Sequence, residues 1–254
     1  MPTYTTDAIV LGRRNLGEHD RILTLLTRDY GKLNAVAKGA RKGNSKLSGA
    51  TEPFTQLKLM LATGRSLDII SQCEISNSHP ALRSDIGRLT RSSYLCDLLD
   101  CLIHERDETS IKAIYDLSVA ALSLLEKESV WKDSPLHGFE FRLLTILGYM
   151  PVLNHCVLCD MELSDQMVAF SASQGGVLCP QHASAASDHF GISADTLQTL
   201  QDFARVGTEK LCNLNPGPQS ILHINRVLRE FMKYHSERTI KSIEFLESIR
   251  AMGN

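Results

Sequence analysis

The sequence predicts an α+β protein. A five-stranded OB-fold barrel is expected over residues 1–80, followed over 81–254 by an all-helical domain with a zinc-binding module inserted at about 151–190. Three observations predict this. Apolar residues alternate with a period of two in the first part of the chain and recur at helical spacing after His79-Pro80. Five short strand-like runs fall within the first 80 residues, too close together for crossover helices. Two close pairs of soft metal ligands then interrupt the helical part.

In chain order, strands are expected at Ala8–Arg14, Ile22–Thr27 and Lys32–Lys38, with Asp29-Tyr30-Gly31 turning between the second and third. Leu57, Leu59 and Leu61 alternate with Gln56, Lys58 and Met60, the period of a half-buried strand. The turn Ala62–Arg65 leads from it into a fifth strand at about Leu67–Cys73. The OB-fold is the commonest small barrel of this kind that binds oligonucleotides, and an SH3-like barrel leaves a similar trace.

Beyond Pro80, Leu95, Leu98, Leu99 and Leu102 line one helix face, and Ile111, Ile114, Leu122 and Leu125 mark a second helix. A third starts with Ser134 as N-cap and Pro135 at the first helical position, and stops at Gly148 and Pro151. Ser193 caps a helix to about Val206, and a last long one spans about Gln219–His235 with Ile221, Ile224, Leu228 and Phe231 inward.

Composition excludes several classes. At 43% hydrophobic and 22% charged residues the chain can bury a core and is not a disordered tail. No stretch is apolar enough to span a bilayer, and the N-terminus lacks the pattern of a signal peptide. The seven cysteines cannot all pair, so a reduced cytoplasmic setting is expected and metal is the first explanation for some of the thiols. The net charge of −2 conceals a polarity: residues 1–80 hold 11 Lys and Arg against 7 Asp and Glu, and the remainder is acidic. An anionic partner is therefore expected at the head of the chain.

The sharpest local pattern is Cys156-x-x-Cys159, 19 intervening residues, then Cys179-x-x-His182. Each short pair can present two ligands to one tetrahedral zinc ion, and four protein ligands leave no position for an activated water, so the site would be structural. Met167–Phe170 and Gly176–Leu178 could form a hairpin between the pairs, and His155 and His189 are alternative ligands. The competing reading is two incidental cysteine pairs in a core. Cys73, Cys96, Cys101 and Cys212 are expected as small buried apolar groups.

The second pattern is cationic. Lys32, Lys38, Arg41, Lys42 and Lys46 follow one another with no acid between Asp29 and Glu52, and Gly39, Gly43 and Ser45 suggest a mobile loop. Such a loop can follow a phosphate backbone, and Arg13, Arg14 and Arg65 could extend the track; the alternative is a merely solvated loop. Glu18, Asp20 and Arg21 read as a turn with internal ion pairing. Phosphate-loop, zinc-protease and nucleophile-elbow motifs are all missing, so no enzyme activity is expected. The single Trp131 gives little support for base stacking.

The stretch from Phe139 to Leu153, running into Cys156-x-x-Cys159, resembles the central signature of the bacterial RecO family of recombination mediators. Ile9-Val10-Leu11, Glu18-His19-Asp20-Arg21, Thr27, Gly31-Lys32 and Lys38–Arg41 are similar to its N-terminal pattern, and Tyr234-His235, Lys241-Ser242 and Phe245-Leu246 to its C-terminus. The resemblance implies an OB-fold, a helical domain with a zinc module, binding of single- and double-stranded DNA, and annealing of complementary strands. With RecR, such a protein would help RecA replace single-strand-binding protein on DNA, in the cytoplasm at the nucleoid. His182 stands where many relatives carry cysteine.

The resemblance also implies a dock for the acidic C-terminal tail of single-strand-binding protein. The basic excess of Arg226, Arg229, Lys233, Arg238 and Lys241 over Glu230 and Glu237 is a candidate surface for it, with Phe231 and Met232 as apolar contacts. Two rival readings remain: a zinc-containing regulator that prefers one nucleic-acid sequence, and a metal hydrolase or deaminase with an open metal position.

Overall fold

The computed structural model describes residues 2–45, 47–127, 133–163, 167–205, 214–236 and 239–252. Strands β1 (Thr3–Leu16), β2 (Asp20–Thr27), β3 (Lys32–Ala37), β4 (Gln56–Ala62) and β5 (Asp68–Asn77) close a barrel in the order β1-β2-β3-β5-β4. All pairings are antiparallel except β3 with β5, where Ala35 faces Asp68 and Val36 faces Ile69. Closure leaves the sheet without a free edge. This is the expected OB-fold. The alternating leucines behave as predicted: Leu57, Leu59 and Leu61 are buried with Val10, Leu23, Leu25, Leu33 and Ala35, while Lys58 points outward.

Two strands run further than their apolar pattern. Thr3–Asp7 carry few apolar side chains, so periodicity does not reveal them, but pairing from Thr3 opposite Ala62 to Asp7 opposite Lys58 makes them strand. After an irregularity between Val10 and Gly12, β1 continues with β2 alone as a projecting hairpin, from Arg13 opposite Leu23 to Leu16 opposite Asp20.

The helices are α1 (Ala81–Ser84), α2 (Ile86–Leu102), α3 (Ile111–Lys127), α4 (Ser134–Ile146), α5 (Ala194–Arg205), α6 (Pro218–His235) and α7 (Ile243–Met252). Packing divides the chain into two compact units, Met1–Trp131 with Arg238–Asn254, and Lys132–Glu237. The first three helices and α7 thus pack with the barrel, a grouping different from the division by chain order at residue 80. Leu95, Leu98, Leu99 and Leu102 of α2 and Ile111, Ile114, Leu122 and Leu125 of α3 are all buried in the first unit. Asp85 caps α2, accepting from the Arg88 N–H at 2.9 Å.

In the second unit, Phe139 and Leu143 of α4, Leu200 and Phe203 of α5, and Ile224, Leu228 and Phe231 of α6 form the core. The cap of α4 is one residue earlier than expected: Asp133 holds that position, and the Ser134 hydroxyl is used in a tertiary hydrogen bond to the Leu214 carbonyl at 2.8 Å. Gly148 ends α4 at φ +83, a left-handed conformation that lets the Tyr149 N–H return to the Leu144 carbonyl. Ser193 caps α5 as predicted, accepting from Thr196 N–H at 3.2 Å. The expected hairpin is present, with a third strand added. β6 (Val168–Ser171) lies between β7 (Gly176–Leu178) and β8 (Phe190–Ile192), both antiparallel to it.

Candidate metal centre and nucleic-acid interface

Two tight turns bring four ligand atoms together in the second unit. In the first, Cys156 N–H donates to the Met161 carbonyl and Asp160 N–H returns to the Cys156 carbonyl, with Asp160 at φ +60. The second follows β7 directly, where His182 N–H donates to the Cys179 carbonyl. Val157 N–H donates to the Val177 carbonyl at 3.0 Å, which locks the first turn onto β7 and so sets its distance from the second.

The ligand atoms of Cys156, Cys159, Cys179 and His182 all lie within 4.8 Å of one another. Cys159 Sγ is 3.9 Å from Cys179 Sγ, and His182 Nδ1 is 3.8 Å from Cys156 Sγ and 3.1 Å from Cys179 Sγ. Bonds of about 2.0–2.3 Å to a central ion require edges of about 3.5–3.8 Å in a tetrahedron, so the four residues fit one metal ion. His155 and His189 serve elsewhere: His155 faces Asp160 at 3.4 Å, and His189 contacts the Ala186 carbonyl. Burial raises the Cys156 thiol pKa, but hydrogen bonds at the main chain of Cys179, Leu158 and Cys159 outweigh it and bring the value down to about 6. Cys156 is thereby held towards the thiolate, the form that binds metal. At Cys159 the Met161 main-chain hydrogen bond is outweighed by desolvation, by hydrogen bonds with Cys156 and Cys179 and by the Cys156 charge, which push the thiol up. Four protein ligands would close the coordination shell of a tetrahedral ion.

Other cysteines differ from expectation in degree. Cys96 is buried, whereas Cys73 and Cys101 are only half-buried, and Cys212 lies outside the described residues. Burial pushes the Cys96 thiol up, and that of Cys73 to about 11.

The second site is on the barrel. The segment after β3 forms consecutive hydrogen-bonded turns rather than the mobile loop suggested by its glycines: Lys42 N–H to Gly39, Ser45 N–H to Lys42, Ser48 N–H to Ser45. It is fastened to the tip of the β1–β2 hairpin. Gly39 N–H donates to the Asp20 carboxylate at 2.7 Å, Arg41 N–H to the His19 carbonyl at 2.9 Å, and the Arg41 guanidinium to the Gly17 carbonyl at 2.8 Å. Arg14, Lys38, Arg41 and Lys42, carried on the two segments joined in this way, are all exposed, as is Leu16 at 40%.

The remaining predicted cations differ in setting. Lys32 is 4% exposed, and its ammonium donates to the main-chain and side-chain oxygens of Asp100, so it is not presented to solvent. Arg65 is exposed in the β4–β5 turn, beside the opposite end of β1. Lys46 lies outside the described residues. Arg13 pairs with Glu52 at the root of the hairpin.

The expected ion pairing within Glu18–Arg21 is replaced by longer-range contacts. Asp20 holds Gly39, and Arg21 donates to Thr51 Oγ1 at 2.5 Å and lies 3.8 Å from Glu52. Sequence spacing could not show this, because the partners are 19 to 31 residues apart.

On the candidate acidic-peptide surface, Arg226 and Lys233 are exposed, Arg226 stacks on the Phe190 ring at 4.0 Å, and Arg229 contacts Glu230. Phe231 and Met232 are 2% and 1% exposed, so they belong to the core and are not available as apolar contacts. Glu237 and Arg238 lie outside the described residues. Among the described residues no helix is long and apolar enough to cross a membrane.

Comparison with known proteins agrees with both halves of this architecture. Residues 1–79 match the family model for the N terminus of recombination protein O, and residues 83–244 that for its C terminus. The chain is 35% identical over 253 residues to the DNA repair protein RecO of Symbiobacterium thermophilum, covering 99% of both chains. It is 33% identical to the DNA repair protein RecO of Desulforamulus reducens, over 98% of this chain and 96% of that one, and 33% identical to that of Pelotomaculum thermopropionicum, over 97% and 94%. All three names describe a DNA repair protein. Matched along nearly its whole length, the chain belongs to the RecO family of DNA repair proteins.

Proposed function

We propose that the protein is a recombination mediator that binds single- and double-stranded DNA and anneals complementary strands. With RecR, it would help load RecA onto DNA coated by single-strand-binding protein. One observation carries the reading: an OB barrel in which the turns after β3, fastened to the β1–β2 hairpin tip, carry exposed Lys38, Arg41 and Lys42, with exposed Arg14 on the hairpin. The protein as a whole is acidic, so general attraction to phosphate cannot supply affinity and a local cluster is needed. Its contacts are to phosphate, which favours binding that ignores sequence. Residues 1–80 supply this DNA-binding part; Lys46 and Arg13 extend the surface, Arg65 offers a separate contact near the other end of β1, and Lys32 supports it from within. The helical remainder, 81–254, docks the acidic tail of single-strand-binding protein through Arg226 and Lys233. The protein works in the cytoplasm, at the nucleoid.

Zinc is the ion proposed for Cys156, Cys159, Cys179 and His182. When bound it cross-links two turns that no disulfide joins, and these residues hold it while contributing no reactive position.

A strand-annealing assay on bare DNA and on DNA coated by single-strand-binding protein tests this function. Acceleration of annealing on both supports it, and failure on both rejects it. A strong preference among scrambled oligonucleotides would favour the sequence-specific regulator instead.

A further inference from the structure

Arg13 and Arg21 share one carboxylate, that of Glu52, and both face the same oxygen, Oε1. Arg13 is in hydrogen-bond contact with it, but Arg21 is 3.8 Å away, beyond that reach. Arg21 completes only part of its bonding through Thr51, and its Nε is buried without a partner. Two positive charges therefore meet one negative charge, in a geometry that a two-oxygen carboxylate only half satisfies.

Arg13 and Glu52 of this group line a cleft of about 680 Å³ in the first unit, together with Arg83, Lys241, Leu11 and Phe54, whereas Arg21 touches it only through Glu52. Arg83 adds a third guanidinium, held by the Ser78 and Pro53 carbonyls and Thr55. The other acids of the lining are engaged: Asp97 accepts from Ser242, and Asp100 from Lys32.

We propose that this cleft is a phosphate-binding site whose resident anion is the Glu52 carboxylate, and that a phosphate of a single strand displaces Glu52 when DNA binds. A phosphate presents more oxygens than a carboxylate and can meet Arg13 and Arg21 together. Glu52 is built to leave. It closes the 3-10 turn Gly49–Thr51 through its own N–H to the Gly49 carbonyl, so the backbone stays anchored while the side chain, 35% exposed, swings out. The displaced carboxylate is a tax on affinity that keeps weakly bound anions out. This inference rests on the DNA-binding reading above and adds to it a specific competitor.

The test is binding of a fluorescent single-stranded oligonucleotide by the full chain across a salt series. The Glu52→Gln variant keeps the side-chain shape and removes the charge. It should bind about two- to fivefold more tightly, the free energy of one partly exposed ion pair. Its log affinity should fall more steeply with log salt, by about 0.7 for the phosphate contact no longer offset by a freed carboxylate. The Arg13→Gln variant should bind about two- to fivefold more weakly by the same measure, whereas a static ion pair predicts no change. If Glu52→Gln fails to fold, Arg13→Gln decides alone.

Unchanged affinity in either folded variant overturns the proposal. Failure of the unmodified protein to bind any oligonucleotide would instead sink the DNA-binding reading itself. Repeating the Glu52→Gln measurement in excess inorganic phosphate separates the two sources of the anion. At matched ionic strength, a gain that phosphate abolishes supports occupation of this cleft by a strand phosphate, and a gain that persists overturns that assignment.

Discussion

The Lys32 ammonium, on β3, donates both to the main-chain carbonyl and to the carboxylate of Asp100 near the end of α2, 2.9 Å from Oδ1. A lysine in a run of exposed cations is thereby turned inward, to 4% exposure, and fastens the barrel to the helix packed beside it. A buried ammonium is tolerated because both of these acceptors are in reach.

Replacing Lys32 with alanine should therefore destabilise the first unit by about 1–3 kcal/mol, since partly buried Asp100 loses its partner. The salt dependence of DNA binding should stay the same. Denaturant midpoints and a salt series on the same variant check both halves; a flattened salt slope would return Lys32 to the DNA surface.

Asp68 is 1% exposed and accepts from the Tyr4 hydroxyl, from Arg106 at 2.6 Å and from the Gly64 N–H at 3.1 Å. Burial alone raises its pKa, but these hydrogen bonds outweigh it and hold the carboxyl below the ordinary range. A depressed folded value means that the stabilisation is complete at neutral pH and is lost as pH falls through that value. Unfolding followed from pH 7 down to pH 2 should show a decline below about pH 4 that is smaller in Asp68→Asn than in the unmodified chain. Equal declines would show that Asp68 is not a source of the acid sensitivity. Tyr4, raised to about 12 by burial and by Asp68, stays neutral throughout.

The metal cluster should hold about one zinc ion per chain. Chelation or Cys179→Ser should open the 151–190 module to proteolysis while the barrel keeps its stability, because metal binding and folding are coupled locally. Elemental analysis after purification without chelators checks the content, and absence of metal rejects the site.

Changing Lys38, Arg41, Lys42 and Lys46 together to alanine should flatten the salt slope of single-strand binding by about 2–3 units if all four contact phosphate. Affinity should fall alike for unrelated sequences. Some stability should be lost as well, since Arg41 braces the hairpin tip through the Gly17 carbonyl. An unchanged slope in a folded variant would place the strand elsewhere.

Much of this protein was legible in the sequence because the signals are local. Alternating Leu57, Leu59 and Leu61, the helical repeat from Leu95 to Leu102, and the Cys156–His182 spacing each follow from the geometry of one strand, one helix or two turns. Strand Thr3–Asp7 was hidden because its side chains are polar and only its neighbour β4 makes it a strand.

What tertiary structure alone decided is which charges are free. Lys32 and Lys38 look alike in the sequence, yet one is consumed by Asp100 and the other remains exposed. Phe231 and Met232 flank surface cations in sequence but lie in the core, because a helix turns about 100° per residue and its faces part company within one step. Arg21 and Glu52 meet only because the barrel closes. Local pattern determines an element and its buried face; the partner of a charge depends on which elements pack together, and that is settled only by the fold.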